Sequence, residues 1–305
     1  MRPQITQMGQ TTQIAATAVL VVALAGCPPV RAQVPVTPAV AGMPGSVRSA
    51  GLQGAGAALV GDASAVFTNP AGLATIHHIS LEGTWRREAP LRALTGALGW
   101  RLGQFDLGVG LQYLGHDTLA TGSADAPYQA LGVGSLVYRF GLIALGGSVR
   151  HYRMTTAGPL ERATSGDLGL AIAVFDIMAF GVSVQHVGGN WDEGSGLVLP
   201  RRTRAGFTMN YVDPLESFRL LSTIEMSWEA GAGSRLTLGA EGGVVVQGVG
   251  LVTRVAHRSR PAGSTEPGFT YGGSVALGEL QVDYGYAARD ALGDRAHRIG
   301  ARLKL

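Results

Sequence analysis

Lysine is almost missing from this chain: Lys304 is the only one, so the basic side chains are nearly all arginine. Charged residues make up 15% of the 305 positions, with a formal net charge of +3. That is little charge for a soluble enzyme. With no basic run carrying interleaved aromatics, nucleic-acid binding has no footing. Cysteine is as scarce: Cys27 is the sole thiol, which excludes an intramolecular disulfide. After residue 30 no apolar run reaches the roughly 20 residues that a membrane-spanning helix needs. Signatures of catalysis are missing too. The histidines (His77, His78, His116, His151, His186, His257, His297) form no HExxH and no paired metal spacing, and no GxSxG elbow occurs. His77 and His78 adjoin, so on a strand they would face opposite sides. No enzyme activity, cofactor or metal is expected.

What the chain does have is apolar residues and glycine: 46% hydrophobic positions, 46 glycines and a mean hydropathy of +0.20. The apolar content is dispersed in alternation, which is how a transmembrane β-barrel carries its membrane signal. In residues 104–113, Phe105, Leu107, Val109, Leu111 and Tyr113 share one face, opposite Asp106, Gly108, Gly110 and Gln112. Residues 280–286 and 298–305 repeat the pattern. Period-two segments fall near 77–86, 92–102, 104–116, 127–139, 141–153, 164–174 and 177–187. The second half continues near 198–211, 216–229, 233–246, 248–258, 268–277, 279–288 and 295–305. The expected fold is therefore all-β, a transmembrane antiparallel barrel of about 14 strands. Polar breaks at 117–126, 155–162, 188–196 and 259–267 fit outer loops. Trp85, Trp100, Tyr113, Tyr138, Tyr152, Tyr211 and Trp228 lie near strand ends, as an interfacial girdle requires. A soluble two-sheet sandwich also alternates, but its second face is usually charged, whereas here it is mostly Gly, Ser, Ala and Thr.

Four regions divide the chain. Residues 1–32 read as a signal peptide, with Arg2 in the n-region and Ile14 to Ala25 as the apolar core. Cleavage after Val30-Arg31-Ala32 is favoured over a lipobox at Leu24-Ala25-Gly26-Cys27, which Pro28 and Pro29 follow awkwardly. Residues 33–48, rich in Pro, Val and Ala, read as a periplasmic linker. Residues 49–75 do not alternate and form a short helical or irregular plug for the lumen of the barrel, residues 76–305. In that plug, the spacing of Leu52, Ala55 and Leu59 predicts a short helix weakened by Gly54, Gly56 and Gly61. Asp62 is placed to cap a second turn, Ala63 to Phe67, that includes Ser64. Asn69-Pro70 starts a third, which Gly72 ends. Glycine at this density implies close backbone approach to the wall. A dinucleotide fingerprint at Gly54–Gly56 lacks the preceding strand that it needs.

Arg202, Arg204, Arg219, Glu225, Glu229, Arg235 and Glu241 share the inward face of neighbouring strands. They make either a self-neutralising charge ladder in a wet lumen or a carboxylate-binding patch for an acidic amphiphile.

The stretch GLQGAGAALVGDASAVFTNPAGLA resembles the N-terminal signature of the FadL-like outer-membrane proteins, specifically the PorV/PorQ branch. Asp62, Ala63, Ser64, Ala65, Asn69, Pro70, Ala71, Gly72 and Leu73 match that branch's core. Leu199-Pro200 ahead of an Arg-rich strand, and the close VDYGY…LGDRAHRIGARLKL, agree with it, so the likeness spans about residues 45–305. The resemblance implies a bacterial outer-membrane, 14-stranded barrel with its N-terminal segment folded into the lumen. It implies passage or capture of hydrophobic molecules or, as in PorV-like members, type IX secretion with a secreted protein as cargo. Outer-membrane lipid is the expected surrounding. The chain is shorter than the fatty-acid transporters, so their ligand site is not carried over. Short, polar loops at 117–126 and 259–267 favour a small hydrophobic ligand over protein cargo.

Overall fold

The computed structural model describes residues 37–88, 91–116, 127–155, 160–174, 177–212, 217–260, 268–290 and 293–305. The leader, with both cleavage readings and Cys27, lies outside them, as do the loop residues 117–126.

Fourteen antiparallel strands close on themselves in sequence order. They are β1 (Ile79–Glu88), β2 (Leu91–Leu102), β3 (Phe105–His116), β4 (Tyr128–Phe140), β5 (Ile143–Thr155), β6 (Glu161–Val174) and β7 (Met178–Val187). The circle continues with β8 (Arg202–Val212), β9 (Phe218–Glu229), β10 (Gly233–Val246), β11 (Val249–Arg258), β12 (Phe269–Leu277), β13 (Leu280–Asp290) and β14 (Gly293–Lys304). Closure pairs β1 with β14, from Ser80 opposite Lys304 to Trp85 opposite Ile299. No sheet edge is left, which is what a strand structure in hydrocarbon requires, because an unpaired backbone group there costs several kcal/mol. The shortest strand has 9 residues and the longest 14, enough to cross a bilayer at a tilt.

The alternation seen in the sequence sorts side chains as expected. Leu94, Leu98, Val109, Leu111, Leu136 and Leu145 are exposed on the outside, and Thr95, Asp106, Gln112, Ser135 and Ser148 are buried within. Trp85, Trp100, Tyr138 and Tyr211 are exposed near the strand ends. Tyr152 is not part of that girdle. It shares parity with Ser148 and Arg150, is fully buried in the lumen, and meets His186 Nε2 through its hydroxyl at 2.8 Å.

Tight turns join the strands at one end, as at Gly103, Gly141, Gly248 and Gly278, all with positive φ. Leu305 is held at this turn end, its carbonyl accepting from the amides of His78 and Ile79. The longer connections lie at the opposite, loop end. One of them folds back: Leu197 and Leu199 are buried in the lumenal core, so β8 starts at Arg202 rather than at 198. The cause is visible in the chain, where two leucines flank Val198 just before a proline. Both leucines find the apolar interior while Val198 stays exposed.

Residues 39–76 fill the lumen. They begin earlier than the composition indicates. The stretch to residue 48, expected as a linker, includes a 3-10 turn (Ala39–Gly42) whose Val40 amide donates to Gln129 Oε1 on β4 at 3.0 Å. It also includes the start of the helix α1 (Val47–Gly51). Ser46 caps α1 by accepting from the Ser49 amide, and Gln53 and Gly54, both at positive φ, end it. The helix therefore precedes the predicted one. Leu52, Ala55 and Leu59 instead follow it in irregular backbone and pack against Leu221 and Ala256. The turns at Ala63–Phe67 and Pro70–Thr75 are 3-10, and Gly72 lies inside the second rather than ending it.

Candidate functional site

The lumenal segment is held by two kinds of contact, one on each side of the barrel. Towards β2–β6 the contact is apolar: Val66, Phe67, Leu73 and Ile76 bury against Ala97, Leu131, Val133, Val137 and Ala144. The wall is thinned to receive them. A Cβ at Gly108 or Gly110 would collide with Val66, Leu73 and Phe67. At Gly169 it would meet Asn69 Oδ1, and at Gly181 it would overlap the Ala57 carbonyl. The close approach therefore depends on glycines of the wall more than on those of the segment. Gly56 and Gly72 make room for Thr68, Ala65 and the Leu59 carbonyl within the segment itself.

Asn69 combines three bonds. Its Oδ1 accepts from the Ala71 amide at 3.1 Å, capping the last turn, with Pro70 at the first position. Its Nδ2 donates to the carbonyls of Ala57 at 2.6 Å and Leu170 at 3.1 Å. The Phe67 carbonyl is clasped by Arg150 Nη2 at 2.7 Å and Gln185 Nε2 at 2.9 Å. Arg150 is itself paired with Asp167, which sits at a bulge where the β6–β7 register shifts and which also accepts from the His186 amide at 3.1 Å. A bulge re-aims side chains in this way.

Towards β10–β14 the contact is ionic. Asp62 occupies the N-cap position of the Ala63–Phe67 turn but its side chain makes no capping bond. Its carboxylate instead takes Arg48 Nη1 at 2.5 Å, Arg302 Nη1 at 2.9 Å and Lys304 Nζ at 2.9 Å. Arg48 reaches Glu241 through Nε at 2.9 Å and Nη2 at 3.1 Å. Arg254 bridges Glu241 at 2.5 Å to Asp283 at 3.0 Å, and Arg302 returns to Asp283 at 3.2 Å. Two charges of the segment are thus threaded through a ring of wall charges. Burial alone would raise the Asp62 carboxyl, but Lys304, Arg302 and Arg48 outweigh it and hold it well below the usual carboxylate range. Burial would lower the Arg48 guanidinium; Glu241 and Asp62 reverse that and raise it. A carboxylate with a depressed pKa stabilises the fold fully above its unfolded value, about 3.9, and loses that contribution as pH falls through the folded value. The gap in denaturant midpoint between wild type and Asp62→Asn should therefore be constant between pH 7 and pH 5 and shrink only below about 4, a comparison that urea titrations check.

The structure places all the predicted ladder residues on the lumenal face. Arg202 pairs with Glu229 at 2.7 Å, Arg204 with Glu225 at 2.9 Å, and Arg219 reaches Glu241 at 3.9 Å. Arg235 lines a cavity described below. Glu225 also accepts from the amides of Gly56 and Ala57, each at 2.7 Å, while Arg204 donates to the Gly54 carbonyl at 2.8 Å. Ser64 presents its amide to Glu82 at 3.4 Å. The residues that sequence inspection missed are Arg48, Arg254, Asp283 and Arg302. Alternation put Asp283 and Arg302 on the polar face of their strands, but nothing local revealed that Arg48 would join them from 193 positions before Glu241.

Two cavities flank the segment. One of about 300 Å³ opens towards the loop end, bounded by Met43, Phe67, Arg202, Glu229 and Arg258 among others. The second, about 170 Å³, lies towards the turn end between Arg48, Leu59, Met178, Asn210 and Arg219. Among the described residues no group of His, Cys, Asp or Glu has the arrangement of a metal site.

Neither a family profile nor a curated protein sequence matches the chain. Its fold is similar to that of several solved transport proteins. The Ralstonia pickettii toluene transporter TbuX superposes with a TM-score of 0.54 at 14% identity, over 87% of this chain and 99% of that one. The P. putida toluene transporter TodX gives 0.58 at 10% identity, over 87% and 99%. The CymD monoaromatic hydrocarbon channel gives 0.56 at 15%, over 86% and 98%. The class defined is a closed, 14-stranded antiparallel barrel with an occupied lumen, and its fold is shared with these transporters and channels.

Proposed function

We propose that the protein is a non-enzymatic barrel of the bacterial outer membrane, FadL-like, through which a hydrophobic ligand passes or in which it is captured. The observation that carries this reading is the division of the lumen: a cavity on each side of one buried segment, which is wedged into the wall rather than continuous with it. A barrel of this many strands is too wide for its own side chains to fill, and here residues 39–76 supply the filling. Short turns at one end and longer loops at the other match the periplasmic and extracellular ends of such barrels. The hydrocarbons named for the three similar transporters and channels support an apolar ligand. The PorV/PorQ signature at 62–73 supports a second reading, in which the outer loops hold secreted protein cargo.

Native mass spectrometry of the detergent-purified protein separates the two: a co-purifying small apolar molecule supports passage, and a bound secreted protein supports the second reading. Closure by the segment has its own test. Replacing Asn69 and Pro70 together by Ala removes the bonds to Ala57 and Leu170 and the fixed turn, and should raise passive conductance in planar bilayers. Unchanged conductance in a correctly assembled barrel would mean that these residues do not close the pore.

A further inference from the structure

The loop-end cavity is far from neutral. Five guanidinium side chains line it: Arg202, Arg204, Arg235, Arg258 and Arg298. Among its described lining residues Glu229 is the only carboxylate, and Arg202 already holds it. Glu225, behind the lining, is taken by Arg204 Nη1 and by the amides of Gly56 and Ala57. Two groups are left over. Arg204 has a side chain 10% exposed, and its Nε is buried without a hydrogen-bond partner. Arg258 donates through Nε to Thr237 Oγ1 at 3.2 Å and has no carboxylate within ion-pair distance among the described residues. A buried guanidinium N–H without an acceptor costs free energy that an anion would recover. The same cavity has an apolar flank, made by Ala41, Met43, Pro44 and Phe67.

From this juxtaposition we infer that the cavity at the loop end binds a compact organic anion, a carboxylate on an apolar body of about one ring, with Arg258 and Arg204 receiving the charge and Phe67 and Met43 the body. This deepens the passage reading and rests on it for the ligand's route. At about 300 Å³ the cavity is at the small end of ligand sites, which excludes a long acyl chain. A neutral hydrocarbon of the same size would leave Arg204 Nε without an acceptor and Arg258 without a carboxylate among the described residues. The cationic rim also favours entry of anions over cations from the loop side.

Isothermal titration of the full-length, detergent-solubilised barrel with benzoate, toluene and oleate tests the assignment. Benzoate should bind, with toluene and oleate at least about 10-fold weaker. Arg258→Gln should weaken benzoate at least about 10-fold, equivalent to about 1.4 kcal/mol, Arg258→Lys should weaken it less, and Arg219→Gln, in the other cavity, should leave it unchanged. Each variant is first checked for the gel shift between unboiled and boiled samples that marks an assembled barrel; if Arg258→Gln fails that check, Arg204→Gln takes its place with the same expected loss. Equal affinity for toluene and benzoate, preference for oleate, no benzoate binding, or an unaffected variant each overturns the inference. Flux of toluene and of benzoate into proteoliposomes, read alongside, keeps the two readings apart. Flux without benzoate binding removes the anion site and leaves passage standing, and loss of all flux removes passage itself.

Discussion

Asp62→Ala is expected to cost about 3–5 kcal/mol, the usual loss when one partner of a buried ion pair is removed, and to open the lumen. Three cations converge on this carboxylate: Arg48, Arg302 and Lys304. Without it, Arg48 keeps Glu241 and Arg302 keeps Asp283, but the segment loses its direct ionic ties to Arg302 and Lys304 of the last strand. The cations left behind repel one another in a dry environment. The barrel wall has its own complete set of strand pairings and should survive, so the variant should still shift on unboiled gels while its unfolding midpoint falls and its conductance rises. Asp62→Asn, which keeps shape and loses charge, should fall between the two. An Asp62→Ala protein with wild-type stability would mean that the ion network is ornamental to the seating of the segment.

Gly181→Val should displace the same segment from the opposite side. A Cβ there overlaps the Ala57 carbonyl and presses on Ala58 Cα, and neither is a flexible side-chain end that can swing away. Overpacking a well-filled interior typically costs about 1–3 kcal/mol, and collision with backbone puts this site at or above the upper end. Valine itself suits a strand, so β7 is not harmed in its own conformation. The expected result is an assembled barrel in which residues 52–60 no longer seat, read as protease cleavage within that stretch in the detergent-purified protein. Gly134→Val is the control, since a Cβ there meets nothing within 4 Å. Equal protease resistance in the two variants would contradict the packing described for the wall glycines.

The strands were legible because one physical demand repeats in each of them: lipid on one face, small or polar groups on the other. β3, β10 and β14 lie within two residues of their expected limits for that reason. The segment in the lumen obeys no such period. Its conformation is set by partners far along the chain, as when Arg302 reaches Asp62 across 240 positions, so its helix and its first residues were misplaced. Tyr152 shows the limit of composition. An aromatic near a strand end suits the girdle, but its parity with Arg150 commits it to the interior. Asp62 shows the limit of local logic: the position is that of a cap, and the carboxylate is drawn away by charges that only the closed barrel brings near. The ladder Arg202, Arg204, Glu225, Glu229 and Glu241 was legible as a face, but not as the frame that holds the segment's amides and Arg48.

The claim on which the rest depends is that α1 lies inside the barrel against β13. A Cβ at Gly285 would sit 3.1 Å from Val47 Cγ1, so cysteines at these two positions fall within the reach of a disulfide. In a Cys27→Ser background, Val47→Cys with Gly285→Cys should oxidise within one chain. The product is a reducible shift in the mobility of the boiled protein, absent from either single variant. A barrel that assembles normally yet forms no such bond under oxidising conditions would place α1 outside the lumen and contradict the account.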